Sequence, residues 1–278
     1  MLANSLLLAL REIRRNVLRS ALTILGIVIG VAAVIVMVTI GGGATAQVTE
    51  QIASMGSNLL MVRVGQHRGP GASSPAPAFD LADAQAILRE IPAVTAVAPS
   101  SSQRLVAVYG NENWSTTVNG IDNEFFKVRN WTVQEGRQFL DSELRAGKAV
   151  CLIGATVRKE LFGDQSPLES LIRIGNFSCQ AVGVLEAKGQ STFGSDQDDL
   201  VLVPLRTFQR RIAGKEDISL IQVSVAEGRS TDKAKSDIEF LMRERRRIAG
   251  SENDNFQVMD MKEITRMLTV TTEILTTL

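Results

Sequence analysis

Residues 20–40 read SALTILGIVIGVAAVIVMVTI, and residues 11–19, immediately before them, read REIRRNVLR. As a helix, an uncharged run of this length extends ~30 Å, the thickness of a bilayer's hydrocarbon core. Four arginines at one end predict that this end stays in the cytoplasm and that everything after Gly41 lies outside. The rival reading is a cleaved signal peptide, because Ala44, Thr45 and Ala46 offer a small-x-small cleavage pattern. The run exceeds the ~7–15 apolar residues of a signal core, so the reading is a retained anchor.

Outward from the span, composition limits the function classes. The chain has 278 residues and no net charge, but residues 1–40 carry four Arg and one Glu, leaving 26 basic against 29 acidic residues beyond them. That exterior has no basic footprint for nucleic acid. It is long enough for a core and, as a prior, about two domains. Its two cysteines, Cys151 and Cys179, sit in the strand-like runs KAVCLIG and FSCQAVGVL. They read first as two buried thiols acting as small hydrophobes. A disulfide is the second reading, and it requires neighbouring strands with Cα atoms within ~7 Å.

Residues 4–19 carry Leu6, Leu7, Leu10, Ile13 and Val17 on one helical face, a pattern that fits an amphipathic helix on the cytoplasmic membrane surface or a simple basic anchor. After the span, residues 41–57 read as a helical stalk whose weak point is Gly41–Gly43. NLLMVRVG predicts a strand, and Asp80 caps a helix that ends before Pro92. VTAVAP, RLVAVYG and WSTTVNGI predict three further strands.

Short strands over 148–153, 171–174, 177–185 and 200–203 follow, with helix only over 155–162 and 205–212. A strand in SLIQVSVAEG, a helix capped at Ser230 or Thr231 and the strand FQVMD then return to the early style. The arginines at 243 and 245–247 read as a solvated, dipole-favouring helix end. The last residues, 262–278, read as an apolar helix that leads back toward the membrane. The fold class is α+β, with one domain interrupted by a mostly β insertion.

Chemistry-bearing motifs are sparse. No G-x-x-x-x-G-K-[ST] occurs, so no P-loop is recognisable. The single histidine, His67, lies in the Gly/Pro loop without a nucleophile or second histidine near it, which starves triad and zinc readings. Within the span, Gly26, Gly30 and Ala33 form a small face that lets another membrane helix approach.

The strongest site candidate is KGQSTFGSDQDDL, residues 188–200, where Asp196, Asp198 and Asp199 crowd beside Gln190 and Phe193. The spacing lacks the remaining ligands of a calcium loop, so a solvated or capping role is favoured over cation binding.

Four segments carry a resemblance: NVLRSALTILGIVIGVAAVI, GNENWSTTVNGIDNEFFKVRNWTVQEGR, GATVRKELFGDQSPL and VLEAKGQSTFGSDQDDLVLVPLRTFQRRIAG. In order and spacing they resemble the permeases of MacB-type ABC transporters, within the wider FtsX-like superfamily. The resemblance implies a mechanotransmission exporter in the inner membrane. It further implies a homodimer, a cytoplasmic ABC ATPase domain or partner that holds the ATP, a periplasmic adaptor and a TolC-type outer-membrane protein; with no ATPase region before the cytoplasmic helix, the expectation is a separate ATPase subunit. No cofactor is implied for this chain.

On that pattern the chain divides into a cytoplasmic helix (1–19), the span (20–40), a stalk (41–57), a porter-like domain (58–104 and 216–260), an inserted mostly β subdomain (105–215) and a second stalk helix (261–278). Arg11, Arg14 and Arg15 would couple to the ATPase. Gln190, Phe193, Asp196, Asp198 and Asp199 would form a contact loop. The alternative is a single-pass anchored binding or regulatory module that transports nothing.

Overall fold

A computed structural model describes residues 17–55, 58–65, 76–191, 195–250 and 252–263. The expectations for Arg11, Arg14, Arg15, His67, Phe193 and most of the terminal helix fall outside them. Two compact units divide the chain between Thr49 and Glu50, the first also taking residues 267–278.

In the first unit the described residues are helical, within α1 (Val17–Met55). Among the described residues it is the one helix long and apolar enough to cross a membrane, over Val17–Met37. From Val17 to Val36 its Leu, Ile and Val side chains are more than half exposed, a surface that water disfavours and lipid accepts. Thr23 and Thr39 return their hydroxyls to the carbonyls of Arg19 and Ile35, which hides two polar groups that the apolar run would otherwise expose. The helix continues through Gly41–Gly43.

The second unit is built from β1 (Leu59–Val64), α2 (Leu81–Glu90), β2 (Val94–Tyr109), β3 (Glu112–Ile121), α3 (Glu124–Val128), β4 (Val133–Gly136), α4 (Asp141–Ala146), β5 (Val150–Ile153), α5 (Ala155–Phe162), β6 (Leu171–Ile174), β7 (Phe177–Leu185), β8 (Leu200–Pro204), α6 (Leu205–Phe208), β9 (Leu220–Val225), α7 (Thr231–Arg245) and β10 (Phe256–Asp260). Its ten-stranded sheet runs β10-β1-β9-β2-β3-β8-β5-β7-β4, with β6 pairing both β2 and β7.

β2 is the joint of this sheet. From Val94 to Ser100 it pairs with β9, and from Ser101 to Tyr109 with β3. The separate strands expected in VTAVAP and RLVAVYG are therefore one, because the polar Ser100–Ser102 link keeps its backbone in the ladder throughout. Ser101 reinforces the handover by donating its hydroxyl to the Asp217 carbonyl at 2.6 Å. Beyond the joint, β2, β3, β8, β5, β7 and β6 close into a six-stranded ring, since β6 returns to β2 at Ala107 and Val108.

Three apolar clusters fill the unit. The first packs β1, β9, β10 and the start of β2 against α2 and α7, through residues such as Leu60, Ile87, Ile221 and Ile238. Both helices start where capping chemistry dictates. Asp80 accepts the Asp83 N–H while Asp83 accepts the Asp80 N–H, and Ser230 accepts the Lys233 N–H. A second cluster lies inside the ring, with Val118, Ile153, Ile174 and Val201. The third joins Leu59 and Ala98 to Phe125, Trp131, Leu152 and Leu202.

Several expectations need correction. Cys151 and Cys179 are not free thiols: β5 and β7 are neighbours, their Cα atoms lie 5.8 Å apart, and the sulfurs are bonded inside the ring. The expected helix over 205–212 is a short α-helix that widens into a π-helical turn, Gln209–Ala213. α3, α4 and β4 were not expected at all.

The arginine run is not merely solvated, either. Arg245 meets Asp83 at 2.8 Å and ties α7 to α2, while the Arg246 guanidinium sits 4.9 Å from the Phe79 ring centre.

Candidate functional site

Residues 186–199 leave β7 and return to β8, and the structure fixes both limbs of this hairpin. Gly189 takes a left-handed conformation, φ +74°, that glycine adopts without steric cost. Gln190 and Asp196 then pair as an antiparallel bridge, and the Gln197 N–H reaches the Gly189 carbonyl at 3.1 Å. Ser191 and Ser195 close the turn, with the Ser191 N–H on the Ser195 carbonyl at 2.7 Å. Phe193 lies outside the described residues.

The three aspartates act as struts. Asp198 is buried and accepts the backbone N–H groups of Lys188 and Gly189, one on each oxygen. Asp196 accepts the Thr156 hydroxyl at 2.6 Å and the Asp198 N–H at 2.8 Å. Asp199 accepts the Trp114 indole N–H at 2.8 Å and lies 3.6 Å from the exposed Arg104, a loose pair.

Carboxylates committed to these donors brace the hairpin, and among the described residues no three metal-ligating side chains gather into a cation site. Asp198 lies beneath the surface of the hairpin. Gly154 backs the same strand, and a Cβ added there would stand 2.1 Å from the Asp198 carbonyl oxygen.

Both tryptophans of the chain serve this hairpin, a pattern the sequence reading missed. Trp114 holds Asp199, and Trp131 donates its indole N–H to the Glu186 carbonyl at 2.8 Å. The signal was available, since a buried indole N–H needs an acceptor and the chain has only two.

Around Trp131 the hairpin's base meets the segment after α3. The Lys188 ammonium stands 5.2 Å from the Trp131 ring centre and donates to the Arg129 carbonyl, and the Arg129 guanidinium stands 5.8 Å from the same ring. Glu186 accepts the Thr132 hydroxyl and backbone N–H groups align the two segments. Burial, followed by the Arg129 charge, pulls Lys188 down to about 8, against the opposing pull of Glu186 and Asp198.

Gly26, Gly30 and Ala33 occupy one helical face by their spacing, and nothing lies within 4 Å of a Cβ built at either glycine. The disulfide cysteines are fully buried within the ring. The structure thus offers a braced, exposed hairpin over a cationic, indole-floored base, an arrangement suited to recognition.

Comparison with known proteins places this architecture. A family model, described as the MacB-like periplasmic core domain, matches residues 20–241. A protein named macrolide export ATP-binding/permease protein MacB, from Chlorobium luteolum, is 38% identical over 267 residues, covering 95% of this chain and 40% of the relative. Its namesake in Chlorobaculum tepidum is 36% identical over 271 residues, with 95% and 41% covered. The chain thus spans about two fifths of the length of these relatives.

Among solved structures, the periplasmic region of MacB from Actinobacillus actinomycetemcomitans superposes with a TM-score of 0.65 at 19% identity, covering 80% of this chain and 97% of that one. The extracellular domain of the ABC-type transporter YknZ superposes with a TM-score of 0.60 at 22% identity, covering 73% and 100%. By the extent of the family match and the identity of these relatives, the chain belongs to the MacB-like family, carrying its periplasmic core domain behind an apolar helix.

Proposed function

We propose that this chain supplies the first membrane helix and the periplasmic domain of an ABC-type export permease in the inner membrane. The observation that carries the reading is 38% identity across 95% of the chain to a macrolide export ATP-binding/permease protein. The N-terminus faces the cytoplasm, where Arg11, Arg14 and Arg15 couple to an ABC ATPase that binds and hydrolyses ATP. Gly26, Gly30 and Ala33 pack the span against another helix of a homodimer. α1 and a second stalk at 261–278 pass the motion outward. There the domain drives its substrate, a macrolide by analogy with the relatives, through a periplasmic adaptor and a TolC-type duct.

The division into a porter-like part (58–104 and 216–260) and an inserted part (105–215) is supported by the confinement of two apolar clusters. One draws mainly on β1, α2, β9, α7 and β10, the other on the ring. The hairpin 186–199 is the contact element, with Gln190 and Phe193 meeting the adaptor or the second protomer while Asp196, Asp198 and Asp199 brace its described limbs.

Affinity purification of the chain from native membranes tests the reading. The expected result is co-purification of an ABC ATPase together with ATP hydrolysis that a nucleotide-site mutation in the ATPase abolishes. Recovery of the chain without any ATPase, from membranes that retain the complex of a control transporter, contradicts it.

A further inference from the structure

Arg129 has no partner that explains it. Among the described residues its buried Nε is left without a hydrogen-bond acceptor. Burial alone lowers its pKa, with no carboxylate charge acting to raise it. A half-buried guanidinium held this way costs free energy, because its Nε–H has left water without finding an acceptor. The acids nearest the hairpin base are otherwise engaged: Asp198 with backbone N–H groups and Glu186 with Thr132.

Beside Arg129 stands a second cation, Lys188, and both lie over one buried indole. Trp131 is itself fixed, by its bond to Glu186 and by the stacked Phe125 ring 6.2 Å away. The intervening Asn130 has a left-handed backbone, φ +43°, and is exposed, as are Ala187 and Gly189 on the facing segment. Two cations on an apolar floor, opening at an exposed rim, match a planar anion. A carboxylate can take two parallel N–H bonds from Arg129 while Lys188 adds its charge.

We propose that Arg129 and Lys188, seated on Trp131, form a binding site for a carboxylate presented by the protein that meets the 186–199 hairpin. The site lies at the base of the hairpin, so a partner that touches the hairpin brings its own surface over Arg129. The assignment rests on the reading of the hairpin as a contact element, and it adds the partner's chemistry: an acidic residue at the contact.

The test uses the full chain in nanodiscs of zwitterionic lipid, with the indole nitrogens of both tryptophans labelled with 15N. Hexaglutamate is the probe, with hexaglutamine and inorganic phosphate as comparisons. The expected result is a saturable shift of the Trp131 indole resonance with hexaglutamate. Its affinity falls at least tenfold in Arg129→Gln, several-fold in Lys188→Gln and less in Arg129→Lys, while an unmoved Trp114 resonance reports that each variant is folded.

An unmoved Trp131 resonance, equal responses to hexaglutamine, or affinity unchanged in both the Arg129→Gln and Lys188→Gln variants overturns the site. Phosphate binding as tightly as hexaglutamate overturns the protein occupant in favour of a small anion. A photo-crosslinker at Gln190 in cells separates the two layers. A crosslinked transport component without any hexaglutamate response leaves the contact standing and removes the site, whereas no crosslink removes the contact reading itself.

Discussion

Asp198 places one carboxylate oxygen on the Lys188 N–H and the other on the Gly189 N–H, each at 2.8 Å. One buried side chain thus replaces the backbone partners that a strand would have supplied at the point where β7 gives way to the hairpin. Both bonds are charge-assisted and shielded from water, which makes them stronger than surface bonds. Asp198→Ala orphans both donors and is expected to cost about 2–4 kcal/mol. Asp198→Asn, which keeps one acceptor, should cost about half as much. Amide hydrogen exchange at Lys188 and Gly189 checks this: it should accelerate in both variants while exchange in β9 stays unchanged.

Gly154→Ala attacks the same strut from behind. The glycine backbone, φ −76° and ψ 165°, is one that alanine adopts readily, so the penalty is steric rather than conformational. Its new Cβ would stand 2.1 Å from the Asp198 carbonyl oxygen, a backbone atom that cannot rotate away. A loss of about 2–3 kcal/mol is expected, read as a lower urea midpoint. The faster exchange at Lys188 should accompany it.

The Cys151–Cys179 bond closes a loop with a sequence separation of 28 residues, and both cysteines are fully buried. Removing it by a double Cys→Ala substitution should destabilise the domain by about 3–4 kcal/mol. Burial adds a second expectation. Thiol reductant should leave the folded protein's unfolding midpoint unchanged on brief exposure, and lower it only when reductant is present during unfolding. Thiol-alkylation mass spectrometry with and without denaturant reads the difference.

Asp122 gives stability a pH dependence of opposite sign to that of a paired carboxylate. Burial, with the Glu124 charge adding to it, pushes its carboxyl up from 3.8 to about 6, and its Oδ1 is buried with no hydrogen-bond partner among the described residues. The folded state therefore holds this proton more tightly than the unfolded chain. Its contribution to stability falls as pH rises from about 4 to about 6, and the penalty is fully present above that window. Asp122→Asn removes the ionisation and should raise stability by on the order of 1–3 kcal/mol at about pH 7.5, with little gain below about pH 4. Unfolding midpoints of the two proteins at both pH values decide it.

What could be read from the sequence was what depends on neighbours along the chain. β6, β7 and β10 begin and end where their apolar patterns and bounding turns put them, and the Asp80 and Ser230 caps follow from local hydrogen-bond chemistry. α3 and α4, at five and six residues, are too short for a 3.6-residue period to declare itself. The continuity of β2 depends on two different strands taking over its ladder at Ser100 and Ser101, and the disulfide on β5 lying beside β7.

The candidate loop was legible as a crowd of aspartates, but their role was not. Spacing cannot tell a carboxylate that faces solvent from one that holds the backbone, and Trp114, Trp131, Arg129 and Thr156 reach the hairpin from 40 to 85 residues away in the chain. Only the fold brings them together.

The central claim is export powered by a partner ATPase. Its most direct test is the cellular accumulation of a fluorescent macrolide in a strain deleted for the gene that encodes this chain, then complemented. Accumulation should rise several-fold on deletion, return to the starting level with the intact gene, and stay high when the intact gene is paired with an ATPase that binds but cannot hydrolyse ATP. Equal accumulation with and without the gene, in cells whose membranes contain the protein and its ATPase, would contradict the account.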